Sequence, residues 1–448
     1  MDGSGVGNGA ALAAYIAGAG ERPVPPEIAD RARLCLADWL GVAIGAGDEA
    51  AGRIVRGVAS GWGTHGRSTV LFGTPSAAPI AALANGTLAH CLDFDDTYVR
   101  AVTHMSAPVW AATLASGEEV GAAEDAMLAA FVTGFEVASR IGDGLGEAVT
   151  SRGWHGTGVF GRLGAAAAAA ALLRLDAGRA LNALGAAATQ TSGLTASFGT
   201  MAKPFHAGRA AMDGVVAAQF AASGFTAATG LFEPGGGLDT ALVQDRAVAP
   251  VPIAFTGWNI LDNSFKPYAA CHLTHPAIDA ARALRTAFRS PAEVTAIRAE
   301  IGALAMQVTG GKSGTPATPL EGKFDLRYCI ALALHGYDAS AADFREPWHP
   351  DPAISATARK ITAEISPEMG FASARLTLDL ADGSRLNETV PIAKGHPGNP
   401  IGWDDMRLKF DALVAPHLGI RSEALFGLVR AFGSGGALGE IRAILARL

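Results

Sequence analysis

Charge is what this 448-residue chain has least of: only 17% of its residues are Asp, Glu, Lys or Arg, against about 25% in an ordinary globular domain. Its 35 basic and 42 acidic residues give a net charge of −7, with no basic block or stripe, which argues against a nucleic-acid partner. The four cysteines, Cys35, Cys91, Cys271 and Cys329, form no C-x-x-C pair. Neither a disulfide framework nor a zinc ribbon is therefore expected, and a reducing, cytoplasmic setting fits best. The longest apolar run, Ala165–Leu173, is far short of the roughly 20 residues of a membrane-spanning helix. No basic residue precedes the first apolar stretch, so no secretory signal and no membrane partner are expected.

Small residues are what the chain has instead. Glycine accounts for 56 positions, and alanine carries much of the 49% hydrophobic share, a composition suited to helices that approach closely. Residues 1–9 read as a frayed Gly/Ser start. Pro25-Pro26-Glu27 then opens a helix, with proline suited to a first turn and glutamate to the positive helix end; Gly41 to Gly47 is expected to close it. Ala-rich helices with Gly or Ser punctuation are predicted at 78–89, 107–122, 126–141, 157–175, 177–189 and 204–223.

Between about 265 and 395 the texture changes. β-branched alternation occurs at 294–297, 361–365 and 374–380, and the last run is followed by Asp382-Gly383 and 385–390, a hairpin signal. Helices are expected between these strands at 276–288 and 324–335, and again at 404–418. The fold class read from this pattern is mainly α: a large all-helical domain (1–265 and 396–448) plus a smaller α+β lid domain (266–395), with a cleft between them. No solenoid repeat is present.

Two familiar patterns fail on context. Gly156-Thr-Gly158-Val-Phe-Gly161 matches G-x-G-x-x-G, but no buried strand precedes it. Gly310-Gly311-Lys312-Ser313 resembles the end of a phosphate loop, but Met306 stands where its leading glycine belongs. His272 and His275 are spaced for metal ligation, yet no acidic or cysteine partner stands at ligand spacing, so no metal is expected there.

Asp93-Phe94-Asp95-Asp96-Thr97 places three carboxylates in four residues beside apolar neighbours, where they repel one another and lose hydration unless something uses them. A solvated loop capping a helix is the competing reading. His104 stands in a loop leading into a helix, as does His155. Lys203, in Lys203-Pro204-Phe205-His206, falls at a helix N-terminus, where free N–H groups and the dipole favour an anion. That dipole disfavours the ammonium charge unless a carboxylate binds, so the position suits a carboxylate substrate or an enolate. Lys266 repeats the pattern in Lys266-Pro267-Tyr268.

Taken together, Asn85–His90 with Leu92–Thr97, Gly153–Thr157, Gly199–Gly208, Lys266–Tyr268 and Lys323–Tyr328 resemble, in order and spacing, the MmgE/PrpD family. That family includes 2-methylcitrate dehydratases, cis-aconitate decarboxylases and iminodisuccinate epimerases. The resemblance implies a homodimer and cofactor-independent chemistry on a small-molecule substrate with an activated carbonyl or carboxylate. It implies catalytic roles for Asp93, His104, His155, Lys203, Lys266 and Tyr328, the last identified by the resemblance alone. Thr97, Asp96, His206 and His272 are the expected substrate-binding residues, and no cofactor or metal is expected. Two departures stand out. Ala269-Ala270-Cys271-His272 follows Tyr268 where the family continues P-x-C-R, and Met105 follows His104 where proline is usual. Loss of an arginine able to grip a carboxylate with two donors points away from a tricarboxylate.

The expected function is a lyase of the dehydratase type that transfers a proton at carbon next to a carbonyl or carboxylate with loss of a neighbouring group. A dehydration and conjugate-addition cyclisation or an isomerisation in specialised metabolism, a cis-aconitate-type decarboxylase or epimerase, and a non-catalytic small-molecule binding protein are the alternatives. Which histidine is acid and which is base stays open at this level.

Overall fold

A computed structural model describes residues 7–63, 65–245, 247–248, 251–345 and 347–448. The expected Gly/Ser start lies outside these residues up to position 6, and a helix already begins at Asn8. The chain is mainly α and divides into two compact units, one running to Asn263 together with Trp403–Leu448, the other Ser264–Gly402. No helix among the described residues is long and apolar enough to cross a membrane.

Among the helices of the first unit, those that frame the site are α1 (Pro26–Gly45), α2 (Ala78–Cys91), α3 (Ser106–Val120), α4 (Glu124–Gly142), α5 (Gly156–Leu172), α6 (Ala177–Ala188) and α7 (Ala202–Ala222). Helix α5 is the axis. Its side chains are buried from Gly156 to Ala170: the alanines from Ala165 on offer no polar group to turn toward water, Arg162 is paired with Asp213 at 3.1 Å, and α3, α4, α6 and α7 pack around the helix.

Small residues set how close these helices come. A methyl group on Gly134 would lie 2.5 Å from the Gly164 carbonyl oxygen, and one on Gly214 would lie 2.6 Å from the backbone nitrogen of Ala166. The tightest crossing is α2 on α7. A methyl group on Gly208 would collide with Thr87 Oγ1 and the Leu83 carbonyl oxygen, and one on Gly86 would come within 3.1 Å of Gly208 Cα. Helix α1 runs through Gly41 to Gly45. The helix thus ends inside the Gly41–Gly47 stretch, and Gly41 and Gly45 also admit Phe410 and Leu413, whose side chains would meet an added Cβ at 3.2 and 2.7 Å.

The second unit opens with α8 (His275–Arg285), β1 (Val294–Ile301) and α9 (Leu326–Leu334), and continues through β2 (Ile361–Ile365), β3 (Ala374–Leu380) and β4 (Arg385–Val390). Its sheet has the order β2-β1-β3-β4. The β1/β2 pair is parallel, in register at Ile297 and Ile361, and needs the long crossover that contains α9. β1/β3 and β3/β4 are antiparallel. Along β3 the residues Ala374, Leu376 and Leu378 are buried in alternation, and α8 covers that face. The Asp382-Gly383 turn closes the hairpin with Gly383 at φ 85°, the left-handed conformation such turns require. The chain then returns to the first unit as α10 (Trp403–Leu418), packed along α1.

The α2/α7 crossing carries a test. Gly208→Ala sets a methyl group against fixed backbone, so unfolding in urea or by heat is expected to show a loss of about 1–3 kcal/mol. Gly57→Ala, on an exposed helical position with open space around it, is expected to be neutral or slightly stabilising. Equal effects of the two substitutions would contradict the close-packing account.

Candidate functional site

The α2/α7 crossing brings the C-terminal turn of α2, which carries His90, against the first turn of α7, which carries Lys203. Between them runs the acidic segment. Far from being a solvated loop, it is buried, with Asp93, Asp95 and Asp96 at 2%, 0% and 0% exposure. Asp93 has φ 52°, a left-handed conformation uncommon for a residue with a Cβ. The three carboxylates take different directions.

Asp93 pairs with Lys203: Nζ donates to Oδ1 within the protein interior. The carboxylate that the helix N-terminus and its lysine were expected to attract is thus, in the first instance, one of the chain's own. Asp95 faces two imidazoles, with Oδ2 2.8 Å from His90 Nδ1 and 3.2 Å from His104 Nδ1. Burial opposes its charge, but the two histidines overcome this and hold the carboxyl well below the usual range. Asp95 is therefore ionised at neutral pH.

Asp96 points elsewhere. It accepts from the backbone N–H of Ser106 at 3.2 Å, from the Ser106 hydroxyl and from Asn263 Nδ2 at 2.6 Å, while its own N–H donates to Asp38 at 2.9 Å. Burial and the neighbouring Asp38 charge push its carboxyl up to about 7. Asp96, an expected substrate-binding residue, is held by these partners, which tie the segment to α3 and α1. Lys409 of α10 completes this anchor, donating to Asp38 Oδ1 and to the Phe94 carbonyl, both at 2.6 Å. Thr97 is buried with its hydroxyl at hydrogen-bond distance from no described partner.

His104 lies between two carboxylates. Its Nε2 is 3.9 Å from Asp93 Oδ1 and its Nδ1 faces Asp95, with 13% of the side chain still exposed. Its backbone N–H donates to Thr157 Oγ1 at 3.1 Å. The loop that presents it includes Val102 at φ 49°, an outlier for a β-branched residue. Glycines hold this loop down: a methyl group on Gly156 would lie 2.5 Å from Thr103 Oγ1 and 2.7 Å from the Val102 carbonyl.

His155, at the entrance of α5, has a different backing. Its Nδ1 lies 3.1 Å from Nδ1 of His206, and its N–H donates to the Gly193 carbonyl at 2.9 Å. Burial, then the charges of His90 and Lys203, hold it well below the usual imidazole range. His155 is thus neutral, able to exchange a hydrogen bond but not to keep an extra proton. His90 is held down to about 4, chiefly by burial and against the pull of Asp95. The rings of His104 and His155 flank that of His90 at 4.6 and 5.5 Å.

Four of the expected residues, Asp93, His104, His155 and Lys203, are therefore assembled in the first unit, with His206 behind His155. His90 was not singled out by sequence reasoning, and Asp95 was marked only as one of the clustered carboxylates without a role, although both stand in the motif strings. The signal was there: an acidic residue five positions after a histidine at a helix end.

Lys266, His272 and Tyr328 belong to the second unit, and all three are buried. His272 begins a single turn before α8, 4.8 Å from the His275 ring and 5.5 Å from Phe371. Tyr328 sits in the first turn of α9, capped by Asp325, with its ring 5.6 Å from Trp348. Burial raises its hydroxyl above the usual phenol value, so it is a neutral donor at physiological pH.

His90, Asp95 and His104 offer donor atoms within 4.8 Å of one another, the one such grouping among the described residues. A metal would need separate ligand bonds of about 2.0–2.2 Å to each. Here a single carboxylate oxygen is already engaged by both imidazoles, through a hydrogen bond to His90 Nδ1 at 2.8 Å and an ion-pair contact to His104 Nδ1 at 3.2 Å, so the group is read as a polar cluster rather than as a ligand set.

The chain matches known proteins over most of its length. The MmgE/PrpD N-terminal domain matches residues 10–250 and the MmgE/PrpD C-terminal domain residues 268–429. Cis-aconitate decarboxylase of Aspergillus terreus (strain NIH 2624 / FGSC A1156) is 26% identical over 404 residues, covering 82% of this chain and 81% of that protein. The cis-aconitate decarboxylases of Mus musculus and Homo sapiens are 26% and 27% identical, covering 74% of this chain and 71% and 72% of their own lengths. Two family domains in sequence, spanning nearly the whole chain, place this protein in the MmgE/PrpD family.

Proposed function

We propose that this protein is a cofactor-independent lyase that acts on an unsaturated or hydroxylated polycarboxylate, with decarboxylation of a cis-aconitate-like acid as the first reaction to test. The observation that carries the proposal is His104, set between Asp93 and Asp95 and beside the Lys203 ammonium. Loss of a carboxylate breaks a carbon–carbon bond, releases carbon dioxide and leaves the electron pair on carbon, delocalised into a neighbouring carboxylate. Such a step needs a cation near the developing negative charge and an acid to protonate the carbon. Lys203 supplies the cation. His104, set between the two carboxylates, supplies the proton and is recharged from solvent. His155, neutral and backed by His206, suits hydrogen bonding to the substrate rather than proton storage.

The relatives named decarboxylases favour this reaction over the dehydration that sequence alone put first. Dehydration uses the same groups, with His104 protonating a departing hydroxyl. Lys266, His272, Thr97 and Tyr328 enter the proposal as further binding groups from the family resemblance. His272 in place of an arginine predicts weaker binding of a third carboxylate at high pH, as its neutral form loses the charge. The homodimer belongs to the same proposal, and analytical ultracentrifugation is expected to give twice the chain mass.

Incubation with cis-aconitate, 2-methylcitrate and iminodisuccinate, followed by mass spectrometry and by proton exchange in heavy water, tests the reading. Turnover or exchange with at least one is expected; no change in any of the three would refute it. His104→Ala is expected to lower kcat by about 10²–10⁴-fold, the range for loss of a positioned proton donor. It is preferred to a Lys203 variant, because stranding Asp93 without its partner costs about 3–5 kcal/mol in stability and would confuse the two effects. Undiminished kcat in His104→Ala would remove His104 from the proton-donor role, whereas a biological activity that survives in His104→Ala without turnover of any substrate would favour the binding-protein alternative. Exhaustive chelation is expected to leave turnover unchanged, and its loss would instead favour a metal-dependent lyase.

A further inference from the structure

The acid–base reading leaves two buried side chains beside His104 without a role, His90 and Asp95. Both converge on one atom. Asp95 Oδ2 faces Nδ1 of His104 at 3.2 Å and Nδ1 of His90 at 2.8 Å, and the two rings meet edge to face at 4.6 Å. His90 Nε2 is buried with no hydrogen-bond partner among the described residues. The hydrogen on this ring is therefore best placed on Nδ1, directed at Asp95. His104 Nδ1 is buried as well and meets Asp95 as an ion-pair contact at 3.2 Å rather than as a hydrogen bond, so the exposed part of its side chain lies along the remainder of the ring.

We propose that Asp95 is a positioning residue for the lyase reaction: one carboxylate oxygen fixes the Nδ1 edge of His104, so that Nε2 presents the proton, while His90 holds that carboxylate in place from behind. The inference rests on the acid role proposed for His104. After Nε2 has given its proton to carbon, the neutral ring keeps its remaining hydrogen on Nδ1 toward Asp95, and the ring neither flips nor changes tautomer before it is recharged. His90 donates to the carboxylate without adding a charge, which leaves the full negative charge of Asp95 for His104. The other groups that face His104 are Asp93 on the same acidic segment, His155 at the entrance of α5 and Lys203 on α7. Lys203 is paired with Asp93, so Asp95 is the carboxylate whose charge is not shared with an ammonium.

The test uses the full-length protein and two readouts. In Asp95→Asn, kcat on the substrate identified above is expected to fall about 10–100-fold with KM within about threefold, and the high-pH limb of the kcat profile to move to lower pH. The second readout needs no substrate: carbethoxylation of His104 by diethylpyrocarbonate, followed by peptide mass spectrometry across pH 5–8. Its midpoint is expected to fall by at least half a pH unit in Asp95→Asn.

An unchanged His104 midpoint in Asp95→Asn overturns the proposal, as does a parallel loss of kcat and thermal stability with the pH profile unmoved. If Asp95→Asn does not fold, Asp95→Ser removes the same charge with less bulk and is judged by the same criteria. Because carbethoxylation is independent of turnover, a wrong substrate assignment would show as no activity in any form of the protein while the His104 midpoint still responded to Asp95.

Discussion

The candidate site depends on a helix crossing that has no room for a methyl group. Gly86 and Gly208 let α2 and α7 approach until backbone nearly touches backbone. That approach sets the end of α2, with His90 and the acidic segment after it, against the first turn of α7, with Lys203. Larger residues there would push the helices apart by an ångström or more, and the Asp93–Lys203 pair spans only a hydrogen bond. Distance is thus controlled by what the sequence omits at two positions.

Within that frame, the energetic difficulty is three adjacent buried carboxylates. Burial of one unpaired charge is prohibitive, so each needs its own solution. Asp93 has an ammonium, Asp95 has two imidazoles, and Asp96 rises to about 7 while it collects donors from Ser106 and Asn263. The left-handed turn at Asp93 sends the first two carboxylates toward the histidines and helps direct the third toward the core. Strain of this kind costs of order 1–3 kcal/mol and persists where surrounding contacts over-determine it. Here the Lys409–Asp38 pair and its bond to the Phe94 carbonyl provide that constraint from the opposite side.

Much of the fold was legible in the sequence because alanine and glycine periodicity is a direct signal of closely packed helices. Helices α2 to α7 lie within about two residues of the sequence reading at most ends, and the Asp-Gly hairpin is where its composition puts it. The reading fell short where a residue has two uses. The Gly41–Gly47 stretch was read only as a helix stop, and the helix does end at Gly45, but Gly41 and Gly45 also admit Phe410 and Leu413 at a helix contact. At the site, Lys203, His104 and His155 were marked by their places at helix entrances, a local feature. The division of labour among Asp93, Asp95 and Asp96 was not visible, because it depends on one backbone angle and on Asn263 and Lys409, distant in sequence. His206 was noted for its motif, but nothing local could have shown that it backs His155.

The loop bearing His104 is pressed against Gly142, Gly146 and Gly156, where any side chain would run into Ala101, Val102 or Thr103. None of these glycines has a group that can touch a reacting atom. Yet a side chain at any one of them would force the loop that carries His104 to shift, and on the proposed reading that shift disturbs the site as removing the imidazole would. A map of which positions tolerate substitution would therefore draw the boundary of the active centre too wide. In this fold, positions that perform chemistry and positions that merely leave space for it are equally intolerant, and only geometry separates them.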